Sequence, residues 1–73
     1  MKIVFSDHAR KQNLIRKIPK KNILETIKNP EENLKSFRNR RLLRKAFGGK
    51  ILEVVATLDE KILVVITQYW LEE

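Results

Sequence analysis

The sequence holds a few side chains that can move protons and bind phosphate. His8 is the only histidine in the 73 residues, and an unperturbed imidazole gains or loses a proton near neutral pH. Glu53 and Tyr69 can also carry protons, and Arg16 and Arg44 can stabilise negative charge that develops on a phosphate. The five residues are predicted as candidate catalytic residues, because metal-independent RNA cleavage through the 2′-hydroxyl needs a base, an acid and a cation.

Each of these residues also has a structural interpretation. His8 can fix the start of a helix by a hydrogen bond to the adjacent strand, and this is the favoured interpretation for that residue. Glu53 is predicted to form a cross-strand ion pair with Arg44, which we favour over a role as general base. Tyr69 and Trp70 either stack on a base or, more commonly, anchor the last strand. The other aromatic residues follow no RNA-binding spacing and are predicted to pack in the core or at its edge: Phe5, Phe37 and Phe47.

The charge of the chain points to a negatively charged partner. Sixteen Lys and Arg residues stand against nine Asp and Glu residues, which gives a formal net charge of +7. Nucleic-acid phosphates favour such a protein through counterion release, although an acidic protein or an anionic lipid is attracted as well. A solvated strand edge protected by cations is the alternative for the block of cations that begins at Arg38. The residues predicted to bind nucleic acid are Lys11, Lys20, Lys21, Arg38, Arg40, Arg41 and Lys45.

The length and composition predict one domain over residues 1–73 in the cytoplasm. A chain this short cannot form a second core, and it has no cysteine for a disulfide. No secretory segment and no apolar run of about 20 residues is present, so no membrane association is predicted. The sequence also lacks a phosphate-binding loop, a dinucleotide-binding motif and a cluster of metal ligands, so neither a cofactor nor a metal is predicted.

The first half of the chain predicts a strand followed by two helices. The strand covers residues 2–5, and Ser6 or Asp7 then caps a helix over residues 7–17. Pro19 interrupts this helix and opens a second one over residues 19–28. Residues 31–33 are predicted to form a loop.

The second half predicts three strands joined by tight turns. Gly48-Gly49 suits a two-residue type I′ turn, because both glycines adopt positive φ without strain. The turn pairs residues 41–47 with residues 50–58. Asp59-Glu60 is predicted as a second two-residue turn, which leads to a strand over residues 61–70.

Counting outward from these turns gives a register and two faces. Phe47 is predicted opposite Lys50, and Leu58 opposite Lys61. The face predicted to carry the two helices contains Leu43, Leu52, Val54, Ala56, Leu63 and Val65. The opposite face, called the open face below, is predicted to display Arg40, Arg44, Glu53, Thr57 and Gln68 around Val55, Val64 and Ile66. A mixed polar and apolar surface of this kind suits a binding partner.

Residues 8–18 read His-Ala-Arg-Lys-Gln-Asn-Leu-Ile-Arg-Lys-Ile, and Asn29-Pro30-Glu31 follow the second helix. With the Gly48-Gly49 turn and the two hydrophobic strands after it, this pattern resembles a family of small prokaryotic domains that are similar to RelE-type and BrnT-type toxins. The resemblance implies two helices packed on a curved antiparallel sheet, and it implies cleavage of RNA. The family's first helical arginine is replaced here by Gln12, so the cationic array on this helix is thinner.

These observations predict an α+β domain of RelE-like fold, with the order β-α-α-β-β-β and two N-terminal helices on a curved antiparallel sheet. The predicted function is that of an RNA-interacting, toxin-like protein, with metal-independent endoribonuclease as the candidate enzyme activity. The predicted partners are RNA or ribosome-bound messenger and an acidic antitoxin that covers the open face. A monomer or weak dimer is expected. The alternative is a non-catalytic module that binds protein or nucleic acid, which Gln12 and the lack of a second histidine favour.

Overall fold

The computed structural model describes residues 1–71, which form two helices packed on a five-stranded mixed sheet. The spatial order of the strands is β1-β5-β4-β3-β2. The α+β class is therefore confirmed for the described residues, whereas the predicted order lacked one strand. The predicted domain range extends two residues beyond this part of the chain. The elements are β1 Lys2–Phe5, α1 Asp7–Arg16, α2 Lys20–Lys28, β2 Glu32–Lys35, β3 Arg40–Phe47, β4 Lys50–Asp59 and β5 Ile62–Leu71.

The additional strand β2 replaces most of the predicted loop. It pairs antiparallel with β3, with Leu34 opposite Leu42, and a turn closed by the Ser36 N–H and the Arg40 carbonyl oxygen at 2.8 Å joins the two strands. Residues 41–44 therefore lie on an interior strand, so the alternative in which the cations of this segment protect a strand edge was wrong. β2 forms the edge instead, and all four of its residues are exposed.

The strand β1 makes the sheet mixed rather than antiparallel. It runs parallel to β5, with Val4 opposite Val64, and the Lys2 N–H donates to the Lys61 carbonyl oxygen at 3.1 Å. A parallel pair needs a long connection, and here both helices and the other three strands lie between the two partners. The two edge strands of the sheet are consequently β1 and β2.

The helices cover the face that the sequence predicts. The Gly48-Gly49 turn has two positive φ angles, and Phe47 pairs with Lys50 as predicted. Ile23 and Ile27 of α2 enter the core, and Ala9 of α1 is fully buried. The core consists of Ala9, Ile18, Ile23, Ile27, Leu43, Leu52, Val54, Ala56, Leu63 and Val65.

The register between β4 and β5 differs from the prediction. The turn lies at Glu60-Lys61, so Asp59 pairs with Ile62 and Leu58 with Leu63 rather than with Lys61. Glu60 adopts a left-handed φ of 55°. The error amounts to two positions, and because side chains alternate with period two, each of these residues keeps its predicted face.

A β-bulge in β5 changes the faces beyond this point. Ala56 pairs with Val65 but Val55 pairs with Thr67, which leaves Ile66 as an extra residue on β5. The side chains of β5 that follow Ile66 therefore lie on the face opposite to the one predicted. Gln68 becomes fully buried on the helix side, where its Nε2 donates to the Ala9 carbonyl oxygen at 2.9 Å. The prediction that Gln68 lies on the open face was wrong.

Ser6 attaches the first helix to this bulge. Its hydroxyl accepts the Ala9 N–H at 3.0 Å as the N-cap of α1 and donates to the Ile66 carbonyl oxygen at 3.1 Å. The Ser6 N–H also donates to the Val65 carbonyl oxygen at 2.9 Å. The bulge and the helix start are therefore fixed to each other, which sets the position of the whole of α1 beside β5.

Candidate functional site

Glu53 lies at the centre of the open face and joins two of the predicted catalytic residues. It is 3% exposed, and the register places it between Arg44 of β3 and Tyr69 of β5. Arg44 Nε donates to Glu53 Oε1 at 2.6 Å, and the Tyr69 hydroxyl donates to Glu53 Oε2. Both carboxylate oxygens are therefore occupied. The predicted Arg44–Glu53 ion pair is confirmed, whereas Ile66 had been predicted in the place that Tyr69 takes.

The surroundings of Arg44 and Tyr69 raise the pKa of both groups. Burial raises the pKa of the Tyr69 hydroxyl to about 12, and the hydrogen bond to Glu53 and the negative charge of Glu53 act in the same direction. The hydrogen bond to Glu53 raises the pKa of the Arg44 guanidinium, which also lies 3.7 Å from Glu32. At neutral pH the Tyr69 hydroxyl is thus protonated and donates a hydrogen bond to Glu53, and it does not serve as a base.

Tyr69 is the only tyrosine, so its ionisation can be followed by the ultraviolet absorbance of tyrosinate. We expect a midpoint near pH 12 instead of the ordinary 10.0, and a lower midpoint in Glu53→Gln, which removes the charge that opposes ionisation. Because the folded pKa is raised, the stabilising contribution is complete below pH 10.0 and is lost as the pH rises through about 12. A midpoint of 10.0 in protein that circular dichroism shows to be folded would contradict this environment.

Arg16 reaches the same face from the end of α1. Its Nη1 donates to Thr67 Oγ1 at 3.2 Å and to the Gln68 carbonyl oxygen at 3.0 Å. Its guanidinium carbon lies 5.7 Å from the centre of the Tyr69 ring. Arg16, Tyr69, Glu53 and Arg44 therefore form one continuous row across the sheet, which we call the arginine–tyrosine row.

His8 does not join this row. It is exposed on the first turn of α1, and within residues 1–71 no hydrogen bond or ion pair connects it to another side chain. Arg16 lies eight positions further along the helix, which corresponds to about 12 Å along the helix axis. The predicted structural role of His8, fixing the helix start to the strand, was wrong, because Ser6 performs it. Gln12 lies half-buried between the two, at the position where a cation was expected.

The residues predicted to bind nucleic acid are divided between the two sides of the sheet. Lys11, Lys20 and Lys21 are exposed on the helices, and Lys20 Nζ lies 5.6 Å from the centre of the Phe5 ring. Lys45 Nζ donates to the Asn29 carbonyl oxygen at 2.9 Å, at the end of α2, and is occupied there. The remaining three lie at or next to the turn between β2 and β3, where Arg40 is on the open face and Arg41 on the helix side: Arg38, Arg40 and Arg41.

The aromatic residues follow the predictions with one exception. Phe47 and Trp70 pack edge-to-face with ring centres 6.2 Å apart, and both contact the core, as does Phe5. Trp70 therefore anchors the last strand as predicted. Phe37 is 87% exposed at the β2–β3 turn, so the prediction that it packs in the core or at its edge was wrong. The missed strand β2 is the reason, because it places residue 37 at the tip of a hairpin.

Two further structural findings concern metal binding and membrane-spanning helices. Among residues 1–71 no group of three His, Cys, Asp or Glu residues is arranged to hold a metal ion. No helix in this part of the chain has the length and apolar composition needed to cross a membrane.

Comparison with known proteins gives one match. Residues 5–70 match the model of a family described as a domain of unknown function, DUF4258. No curated protein and no solved structure matches the chain.

Proposed function

The chain belongs to the DUF4258 family, and from this premise we propose that it is an RNA-interacting, toxin-like domain of RelE-like fold. RNA binds across the open face, along the arginine–tyrosine row. The net charge of +7 supports a polyanionic ligand, and the resemblance of residues 8–18 to toxin domains supports RNA as that ligand. A cytoplasmic location is part of the proposal.

The observation that carries the proposal is the position of Arg16. Its Nη1 is held by the backbone of β5 and by Thr67, while the N–H groups on Nε and Nη2 have no acceptor among residues 1–71. No carboxylate of these residues forms an ion pair with it. A guanidinium whose Nη1 is held in place, and whose Nε and Nη2 groups remain free to donate, can bind phosphate through two hydrogen bonds.

The catalytic form of the proposal is a metal-independent endoribonuclease that acts on RNA or ribosome-bound messenger. Tyr69, which is protonated at neutral pH, would donate a proton to the leaving oxygen, and Arg16 would stabilise the charge on phosphate. His8 is the group with the appropriate chemistry to act as base, but it lies about 12 Å along α1 from Arg16 and does not reach the phosphate that Arg16 would bind, which weighs against the catalytic form. Cleavage of purified RNA or ribosome-bound messenger, lost in Tyr69→Phe and His8→Ala, would support this form.

The alternative is a non-catalytic binding module, and one observation favours it. Glu53 is buried with both oxygens occupied, so it acts as a structural acceptor for its two neighbours instead of exchanging protons with a substrate. RNA and ribosome-bound messenger left intact by wild-type protein, with His8→Ala behaving identically, would exclude the catalytic form.

An acidic antitoxin is the proposed protein partner. The open face offers both charge and apolar surface to such a partner, since Val64 of β5 is partly exposed there and Arg40 and Arg44 lie on the same face of β3. Bound antitoxin would cover the arginine–tyrosine row and exclude RNA. Competition between a neighbouring acidic gene product and RNA for the purified domain tests this part of the proposal.

We expect Arg16→Gln to weaken binding of single-stranded RNA by about 10-fold or more at low salt, because a charged hydrogen bond to phosphate is lost. Fluorescence anisotropy measured over a salt series should also show the slope of log K against log salt reduced by about 0.7, the value for one phosphate contact in single strands. Arg10→Gln is the matched control, since Arg10 lies on the same helix but pairs with Asp7. Equal losses in both variants would contradict a specific role for Arg16.

A further inference from the structure

The turn between β2 and β3 presents an aromatic ring to solvent in a fixed backbone. Arg38 and Asn39 both adopt left-handed backbone angles, with φ of 57° and 61°. Such angles are uncommon for residues other than glycine and persist where the surrounding structure enforces them. The Ser36–Arg40 backbone hydrogen bond closes this turn, and Phe37 stands at its tip with 87% of its surface exposed.

A cationic cavity of about 330 Å³ lies beside this turn. Lys35, Arg40 and Arg41 line it, together with the polar side chains of Ser36 and Asn39. Its lining contains no carboxylate, and none of the three cations forms an ion pair within residues 1–71. Three unneutralised cations around one cavity favour an anion of phosphate size and charge.

We propose that the β2–β3 turn is a binding site for a single-stranded segment of RNA, in which Phe37 stacks on a base and the cavity holds the adjoining phosphate. The proposal rests on the RNA-binding function above and adds a second contact to it. A base offers its face to a protein ring only when it is unpaired, so the site selects single strands over duplexes.

The geometry connects this site to the arginine–tyrosine row. Arg40 and Arg44 lie on the same face of β3, four residues apart, which corresponds to about 13 Å along the strand. Lys35 and Arg41 of the cavity lie on the opposite, helix-facing side of the sheet, so a short single strand held there must pass around the end of the sheet at Arg40 to reach Arg44. Asp59 ends β4 and Glu60 follows it, next to the end of β4 that pairs with the start of β3.

An acidic peptide fits the site less well than RNA does. Phe37 stands alone at the tip of the turn, and Leu58 is the only apolar residue in the lining of the cavity. Docking of a peptide side chain needs a continuous apolar pocket, whereas base stacking needs only one exposed ring face.

The test compares two ligands of equal charge in fluorescence anisotropy. One is a labelled 2′-O-methyl oligouridylate, which resists cleavage through the 2′-oxygen, and the other is its abasic counterpart. Wild-type protein is expected to bind the ligand with bases about 5- to 150-fold more tightly. Phe37→Leu should lose most of this preference and Phe37→Trp should keep it, whereas Arg41→Gln should weaken both ligands equally.

Ile15→Ala is the matched control, because Ile15 is an exposed apolar residue on α1. Unchanged thermal denaturation of Phe37→Leu, expected for so exposed a side chain, confirms that the fold is intact. An undiminished preference for bases in Phe37→Leu overturns the stacking site and leaves the RNA-binding function standing. Failure of the wild-type protein to bind either ligand at low salt overturns both. Binding of a labelled acidic peptide that is tighter than that of oligouridylate and is lost in Phe37→Leu overturns the choice of RNA for this turn.

Discussion

Arg44→Met is expected to lower the free energy of unfolding by about 3 to 5 kcal/mol. The substitution leaves the Glu53 carboxylate, whose side chain is 4% exposed, without its cation at 2.6 Å. A buried charge that loses its only close cation is costly because water cannot replace the partner. Urea denaturation followed by circular dichroism measures the loss.

Two further variants isolate the ion pair. Arg40→Met is the matched control, since Arg40 lies on the same strand and face and forms no ion pair within residues 1–71, so a change of about 0.5 kcal/mol is expected. The double variant Arg44→Met/Glu53→Met should recover most of the loss, because two apolar side chains replace the pair. If Arg44→Met and Arg40→Met cost the same, the pair does not organise the open face.

Leu52→Ala is expected to cost about 2 to 5 kcal/mol, through lost burial and through the cavity left behind. Leu52 is fully buried near the middle of the sheet, opposite Lys45 and Trp70. A chain of 73 residues has a total stability of only about 4 to 11 kcal/mol at typical values per residue. The variant should therefore be partly unfolded near physiological temperature, as thermal denaturation will show.

Leu58→Ala provides the comparison on the same strand. Leu58 is 55% exposed near the end of β4, and its truncation should cost less than about 1 kcal/mol. The same chemical change at two positions thus tests the assignment of the core. A larger loss at Leu58 than at Leu52 would show that the core does not lie at the middle of β4.

The faces of the central strands were predictable because the physical rule behind them is local. The Gly48-Gly49 turn fixes the β3–β4 register, and alternation then assigns Leu43, Leu52 and Val54 to the helix side. Even the wrong turn between β4 and β5 preserved these faces, because its error was an even number of residues. The Arg44–Glu53 pair followed from the same counting.

The bulge at Ile66 and the strand β2 were not predictable in this way. A bulge leaves no pattern in a continuous run of apolar residues, so the sequence could not show that Tyr69 replaces Ile66 beside Glu53. The residues of β2, Glu-Asn-Leu-Lys, include no β-branched or aromatic side chain, and their pairing with β3 decides their conformation. The exposure of Phe37 depends on that pairing and was missed for the same reason.

The candidate site was predictable in composition but not in arrangement. Four of the five predicted catalytic residues meet on the open face, and the contact of Arg16 with Tyr69 depends on the bulge. His8 shares a helix face with Arg16 in sequence, but the helix rise keeps the two apart. A single sequence shows which residue types are present. The distances between them across the sheet depend on the strand register, which the sequence predicted only in part.

The parallel pair of β1 and β5 has a consequence for how the protein folds. Lys2 and Ile62 are partners although 60 positions separate them, and such distant contacts slow folding. During synthesis β1 leaves the ribosome well before β5, so the apolar residues of β1 remain unpaired until β5 has been made. A chain interrupted before β5 would thus leave β1 unpaired and α1 unanchored, a species prone to self-association until translation resumes.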